Sequence, residues 1–152
     1  MTATRPSIAL APQTSKGDLA RIPRVKRITS DRNFASERQF QEWLVGYLRR
    51  TNSSFVGAPY LSGIQTEVTT PLGGRADIIV PQRFVIECKL HLAPDSIAQA
   101  IGQLWLYYRY FPGHHPVVAG CVPSDTRLDR QLERAVLESG SSLWAVSINN
   151  KR

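Results

Sequence analysis

The sequence predicts an α/β (α+β) domain: a central mixed β-sheet flanked by helices, with elements in the order α-β-β-β-α-β-α-β. Three observations lead there. Two short apolar runs of β-type residues, 78–80 and 84–86, flank Pro81-Gln82-Arg83 and read as a hairpin. Segments 36–50 and 95–111, on either side of that hairpin region, repeat apolar residues at helical spacing. Beyond them, two more apolar runs enclose an amphipathic stretch, the alternation that a helix-covered sheet requires. The 152 residues, 42 % hydrophobic, suffice for one domain with a real core. No apolar run reaches membrane-spanning length.

The first helix, 36–50, opens with Ser36 and has Gln39 three residues later, a capping-box start. Phe40, Trp43, Leu44, Tyr47 and Leu48 form its apolar stripe. Of its two early glutamates, Glu37 falls roughly 50° from the centre of that stripe and Glu42 roughly 170° away. Only Glu37 is placed to look toward the body of the domain, and Glu42 reads as solvated surface. Residues 64–69 form a candidate strand ended by the turn Pro71-Leu72-Gly73-Gly74. The second helix, 95–111, starts after Pro94, with Asp95 or Ser96 as cap. Ile97, Ile101, Leu104, Trp105 and Tyr108 form one stripe, and Gln99, Gln103, Tyr107 and Tyr110 another. Strand 117–122, helix 126–139 and strand 143–148 complete the order. Leu128, Leu132, Ala135 and Val136 face inward on the third helix, which Gly140 terminates.

Charge is uneven. Residues 1–33 carry seven Lys/Arg and two Asp, a net +5 of the total +7. This stretch, rich in Pro, Ser, Thr and Arg, reads as a disordered basic tail preceding a domain at 34–152. Arg21, Arg24, Lys26 and Arg27 are its dense part and are placed to track phosphates. A plain solubilising tail and an organelle transit segment are the competing readings. Cys88 and Cys121 lie in strands without a C-x-x-C pattern, as buried thiols in a reducing cytoplasm would. His114 and His115 fall in a Pro/Gly loop and read as surface, and His91 shares the face of Glu87 and Lys89.

The hairpin carries the chemistry. Strand 84–91 places Phe84, Ile86, Cys88 and Leu90 on one face and Val85, Glu87, Lys89 and His91 on the other. Strand 75–80 places Ala76, Ile78 and Val80 on one face and Arg75, Asp77 and Ile79 on the other. With a three-residue loop Val80 opposes Phe84, and Asp77 then opposes Glu87 on the same face. Their Cβ atoms would sit about 4.5–5.5 Å apart. Carboxylates that close repel unless a cation lies between them. Oxygen ligands with open positions suit Mg²⁺, with Mn²⁺ as a substitute. Lys89 points the same way and can stabilise developing negative charge. Arg75, two residues before Asp77, is a candidate phosphate contact.

Asp77, nine intervening residues, then Glu87-Cys88-Lys89 resembles the PD-(D/E)XK, restriction-endonuclease-like nuclease superfamily. Ala76 stands where that pattern usually has proline. Glu37-Arg38-x-Phe40-x-x-Trp43-Leu44 looks like the opening of archaeal Holliday-junction resolvases. Gln103-Leu-Trp-Leu-Tyr107 is similar to the Q-x-x-x-Y motif of RecB-like nucleases. Small bacterial homing endonucleases fit the length. The resemblance implies a Mg²⁺-dependent DNA endonuclease with the restriction-endonuclease-like core. Asp77, Glu87 and the Cys88 backbone carbonyl would hold metal, and Glu37 would serve an outer or second metal. Lys89 would activate water, and Gln103, Tyr107 and Gln99 would line the site. It implies double-stranded, possibly branched, DNA as substrate, a homodimer or homotetramer through the Trp105–Phe111 aromatics, and a cytoplasmic, nucleoid-associated setting. Intron homing, junction resolution, restriction and repair all remain open. The rival readings are a catalytically silent DNA-binding subunit and an RNA-processing nuclease.

Overall fold

The computed structural model describes residues 24–51, 63–107, 109–122 and 129–149. In chain order they form β1 (Val25–Ser30), α1 (Glu37–Thr51), β2 (Gln65–Thr69), β3 (Arg75–Val80), β4 (Phe84–His91), α2 (Pro94–Tyr107), β5 (His115–Val122), α3 (Arg130–Glu138) and β6 (Ser142–Ile148). The six strands make one sheet in the order β1-β6-β5-β4-β3-β2. β2, β3 and β4 are antiparallel each to the next, and β4, β5, β6 and β1 run parallel to one another. The expected mixed sheet with flanking helices is therefore present.

One strand was not expected. Val25–Ser30 is not tail: it pairs in parallel with β6 from Val25 opposite Leu143 to Ser30 opposite Ile148. Only Ile28 and Ser30 of this strand are buried. An edge strand needs a ladder on one side only, and Lys26 and Arg27 are the charges that protect such edges. Its hydrophobic signal is correspondingly faint.

α1 covers one face of the sheet. Phe40, Trp43, Leu44 and Leu48 pack there against Ile78, Val80, Phe84, Ile86, Cys88, Val117, Ala119 and Trp144. Its start is capped as expected: Ser36 Oγ accepts from Gln39 N at 3.1 Å, and Gln39 Oε1 accepts from Ala35 N at 2.9 Å. Phe34 closes that end, its ring 5.4 Å from both Phe40 and Trp43. α2 and α3 cover the other face, through Ile97, Ala100, Leu104, Tyr107 and Val136. Ser96 Oγ accepts from Ala93 N at 2.9 Å and so tethers the start of α2.

Several expectations shift. α2 ends at Tyr107 rather than Phe111, and Tyr107 turns inward while Trp105 and Leu106 are exposed. The helix presents Ile97, Ala100, Leu104 and Tyr107 because the apolar stripe of a straight helix drifts between three- and four-residue spacings. Ala135 on α3 is exposed, and Asp129 caps that helix by accepting from Gln131 N at 2.7 Å. Leu128 and Tyr108 lie outside the described residues. His115 begins β5 and is not a surface loop residue; its Nε2 is 2.8 Å from Ser142 Oγ. Both cysteines are buried and free. No helix among the described residues is long and apolar enough to cross a membrane.

Candidate functional site

The β3–β4 hairpin builds the site. Val80 opposes Phe84, Ile79 opposes Val85 and Ile78 opposes Ile86, with Arg83 N donating to Val80 O at 3.0 Å across the three-residue loop. The same register carried one step further sets Asp77 opposite Glu87, but the backbone ladder stops before reaching them. In place of a backbone carbonyl, Asp77 Oδ2 accepts the amide of Cys88 at 2.7 Å. In an extended strand the N–H and C=O of one residue point to the same side. The Cys88 carbonyl is thus aimed at the gap that Asp77 opens.

A change of face occurs at the same place. Ile78 packs toward α1, whereas Ala76, two residues away, packs with the α2 side. A regular strand would keep both on one face, so the expected grouping of Ala76 with Ile78 and Val80 fails. β3 is bent where it carries its aspartate.

Glu87 is only 3 % exposed, and its Oε2 has no hydrogen-bond partner. Burial pushes its carboxyl up to about 10, helped by the hydrogen bond with Asp77 and by the charges of Asp77 and Glu37, and opposed by Lys89. A carboxyl that deeply buried beside another carboxyl holds its proton unless a cation replaces it. Lys89 is 7 % exposed and follows Glu87 on the same face of β4. Gln103 Oε1 is a second buried acceptor without a partner.

These side chains line one pocket of ≈ 290 Å³ together with Glu37, Glu67, Gly74, Arg75 and Tyr107. Glu37 is exposed and reaches it from the first residue of α1, whereas Glu42 is turned away and pairs with Arg38 at 3.5 Å. Tyr107 is buried, and its hydroxyl donates to Arg75 O at 3.0 Å. It braces α2 against the start of β3. Gln99 is exposed on α2 away from this pocket. Arg24, Lys26 and Arg27 sit on or beside β1, four strand spacings from β3, about 19 Å at ordinary strand spacing. Arg24 and Arg27 line a separate groove of ≈ 710 Å³ along α3, with Asp129, Glu133 and Glu138 among its other walls. That groove is larger but mixed in charge, and among the described residues it holds no buried unpartnered carboxylate, so the smaller pocket is the stronger candidate. Arg21 lies outside the described residues.

Glu67 escaped the sequence reading. The Thr70–Gly74 turn pairs Thr69 with Arg75, which puts Glu67 across from Asp77, and a register count over that hairpin would have found it.

The donor set fits a hard divalent cation. Asp77 and Glu87 supply adjacent carboxylates, one with an unpartnered buried oxygen, and the Cys88 carbonyl faces the same gap. Among the described residues no three His, Cys, Asp or Glu side chains are grouped so as to hold a metal ion. Mg²⁺ ordinarily takes one or two carboxylates and keeps several waters. No protein-family model matches the chain, and no curated protein or solved structure gives a match to it.

Proposed function

We propose that this chain is a metal-dependent phosphodiesterase. Within that class it is a DNA endonuclease, with Mg²⁺ held by Asp77, Glu87 and the Cys88 carbonyl. The observation that carries this reading is Glu87: a nearly fully buried carboxyl, its free oxygen unpartnered, set against Asp77 where the ladder ends. Uncompensated burial of this kind costs several kcal/mol and calls for a compensating cation.

Bound there, Mg²⁺ would neutralise phosphate charge and acidify a water. The chain's own groups do the rest. Lys89 places its ammonium on the Glu87 side of the pocket, where negative charge builds on the phosphoryl oxygens during attack. Arg75, exposed at the rim, supplies a bidentate phosphate contact. Gln103 lines the pocket and, with an unpartnered amide oxygen, can orient a water proton there. Glu37 adds negative charge from α1 and suits an outer-shell ligand. DNA is favoured over RNA through the motif resemblance, and duplex cleavage by two copies matches two strands.

The test uses supercoiled plasmid, a four-way junction and single-stranded RNA, with Mg²⁺ or EDTA. Cutting of DNA in Mg²⁺ alone is expected, with at least a 100-fold loss in Lys89→Met. Glu87→Gln should lose cutting while melting at or above the wild-type temperature without metal. The amide keeps the shape and cannot be forced to ionise. Mg²⁺ should raise the melting temperature of the wild type but not of Glu87→Gln. Absence of both cleavage and any Mg²⁺-dependent shift would sink the reading.

A further inference from the structure

The edge strand β1 has a face that no helix covers fully. Ile28 packs with α1, so its neighbours Arg27 and Thr29 point to the opposite face of the sheet. There α3 packs on β6, and the groove of ≈ 710 Å³ runs between α3 and β1. Arg130, Arg134 and Leu137 form one wall, at i, i+4 and i+7 on the helix. Arg24 and Arg27 form the other. Arg27 meets Glu133 only loosely, at 3.9 Å. Among the described residues Arg24, Arg130 and Arg134 have no ion pair. The carboxylates of the groove do not offset them: Asp129 caps α3 through Gln131 N, and Glu138 stands at the far end of the helix from Arg130.

We propose that this groove is a second contact surface for duplex DNA, gripping backbone phosphates away from the bond that is cut. This inference rests on the DNA endonuclease reading above and extends it. Guanidinium groups suit phosphate because their planar donors match two of its oxygens. A protein partner fits less well, since Leu137 is the one apolar side chain among the described residues lining the groove, and protein interfaces centre on apolar and aromatic anchors. The groove also lies on the right edge of the sheet. α3 ends three residues before β6 begins, so it runs against the parallel strands and Arg130 sits at their carboxyl edge. Lys89 near the end of β4, and Asp77 near the start of antiparallel β3, lie at that same edge. A duplex laid along it meets the pocket and the Arg130 end of the groove together. The intervening four strand spacings, about 19 Å, match roughly five to six base pairs at 3.4 Å each. Arg32, two residues past β1, and Arg50 line a smaller groove of ≈ 310 Å³ beside α1, so arginines flank this end of the sheet on both faces.

The test is anisotropy of a long labelled duplex, in EDTA, over a range of KCl concentrations. Wild type is compared with the double variant Arg130→Gln/Arg134→Gln and with Glu138→Gln. All three positions are exposed, so the fold tolerates the changes. The double variant should bind at least tenfold more weakly, and its logarithmic salt slope should be shallower by about two. Glu138→Gln should bind several-fold more tightly, a gain that misfolding cannot mimic. Wild-type affinity and slope in the double variant overturn the groove, and the proposed function stands if plasmid is still cut. Binding that follows these residues, with no cleavage by the wild type in Mg²⁺, keeps the groove and removes the endonuclease. Sedimentation adds a further arm: a wild-type dimer that the double variant turns into a monomer, at unchanged salt slope, makes the groove an interface between copies and overturns the inference. Absence of duplex binding by the wild type overturns it as well.

Discussion

At the residue scale, burial decides which ionisable groups are chemically unusual. His115 and Glu87 both sit on the sheet, yet they respond in opposite senses. Burial, reinforced by the nearby Arg83 charge, lowers His115 to about 4 from its ordinary 6.5. The unfolded chain therefore binds more protons than the folded one between those values, and stability rises with pH across that window. Below pH 6.5 the folded state should lose stability progressively, on the order of 2–3 kcal/mol by pH 4. Urea midpoints measured from pH 4 to 7 should show this slope, and His115→Gln should flatten it. An unchanged slope in the variant would place the acid sensitivity elsewhere. The sequence offered no route to this residue, because His114-His115 beside Pro and Gly has the composition of a loop. Only the pairing of β4 with β5, with Phe84 opposite His115, draws it under the sheet.

At the scale of elements, the site depends on how β4 is held. Lys89 lies opposite Gly120 on β5, and a register shift follows it before His91. A Cβ added at Gly120 would come within 2.7 Å of the Lys89 carbonyl and 2.6 Å of a Leu92 methyl. The Leu92 side chain can yield, but the backbone carbonyl cannot do so without moving Lys89. Gly120→Ala should therefore cost about 1–3 kcal/mol, with a fall in cleavage of more than tenfold because the lysine is displaced. Melting curves and cleavage rates would check both, and a variant with wild-type stability and activity would show that β4 has slack here. The β3–β4 hairpin was legible because its three-residue loop sets the register, and Val80 does oppose Phe84. Helix faces were less legible. Trp105 has an apolar ring and helical spacing, yet the helix rotates it outward in favour of Tyr107, whose hydroxyl finds the Arg75 carbonyl.

For the whole molecule, the N-terminal basic segment changes its meaning. Read as sequence, residues 24–30 belong to a disordered basic tail. In the fold they form the edge strand that covers β6, with Arg24 O accepting from Leu143 N at 2.9 Å and Ser30 O from Asn149 N at 2.7 Å. Removal of residues 1–31 would uncover a parallel strand rich in apolar residues, β6, and should cause aggregation or a loss of more than 3 kcal/mol. Thermal melts of the truncated chain check this, and tolerance of the deletion would restore the tail reading. The basic residues on this strand lie about 19 Å from the strand of Asp77 and do not line its pocket.

The sequence by itself determined the mixed α/β class, the hairpin register, the shared face of Glu87 and Lys89, and the choice of Glu37 over Glu42. All of these follow from periodicity and short-range spacing, which are local properties of the chain. The tertiary structure decided what depends on pairing between distant segments. It placed β1 against β6, more than a hundred residues away, where two buried side chains suffice because the partner strand supplies the hydrogen bonds. It bent β3 at Asp77, turned Glu67 out of the ladder beside it, and buried the Glu87 carboxyl without a partner. Burial and strain are properties of the assembled sheet, and no stretch of sequence carries them alone.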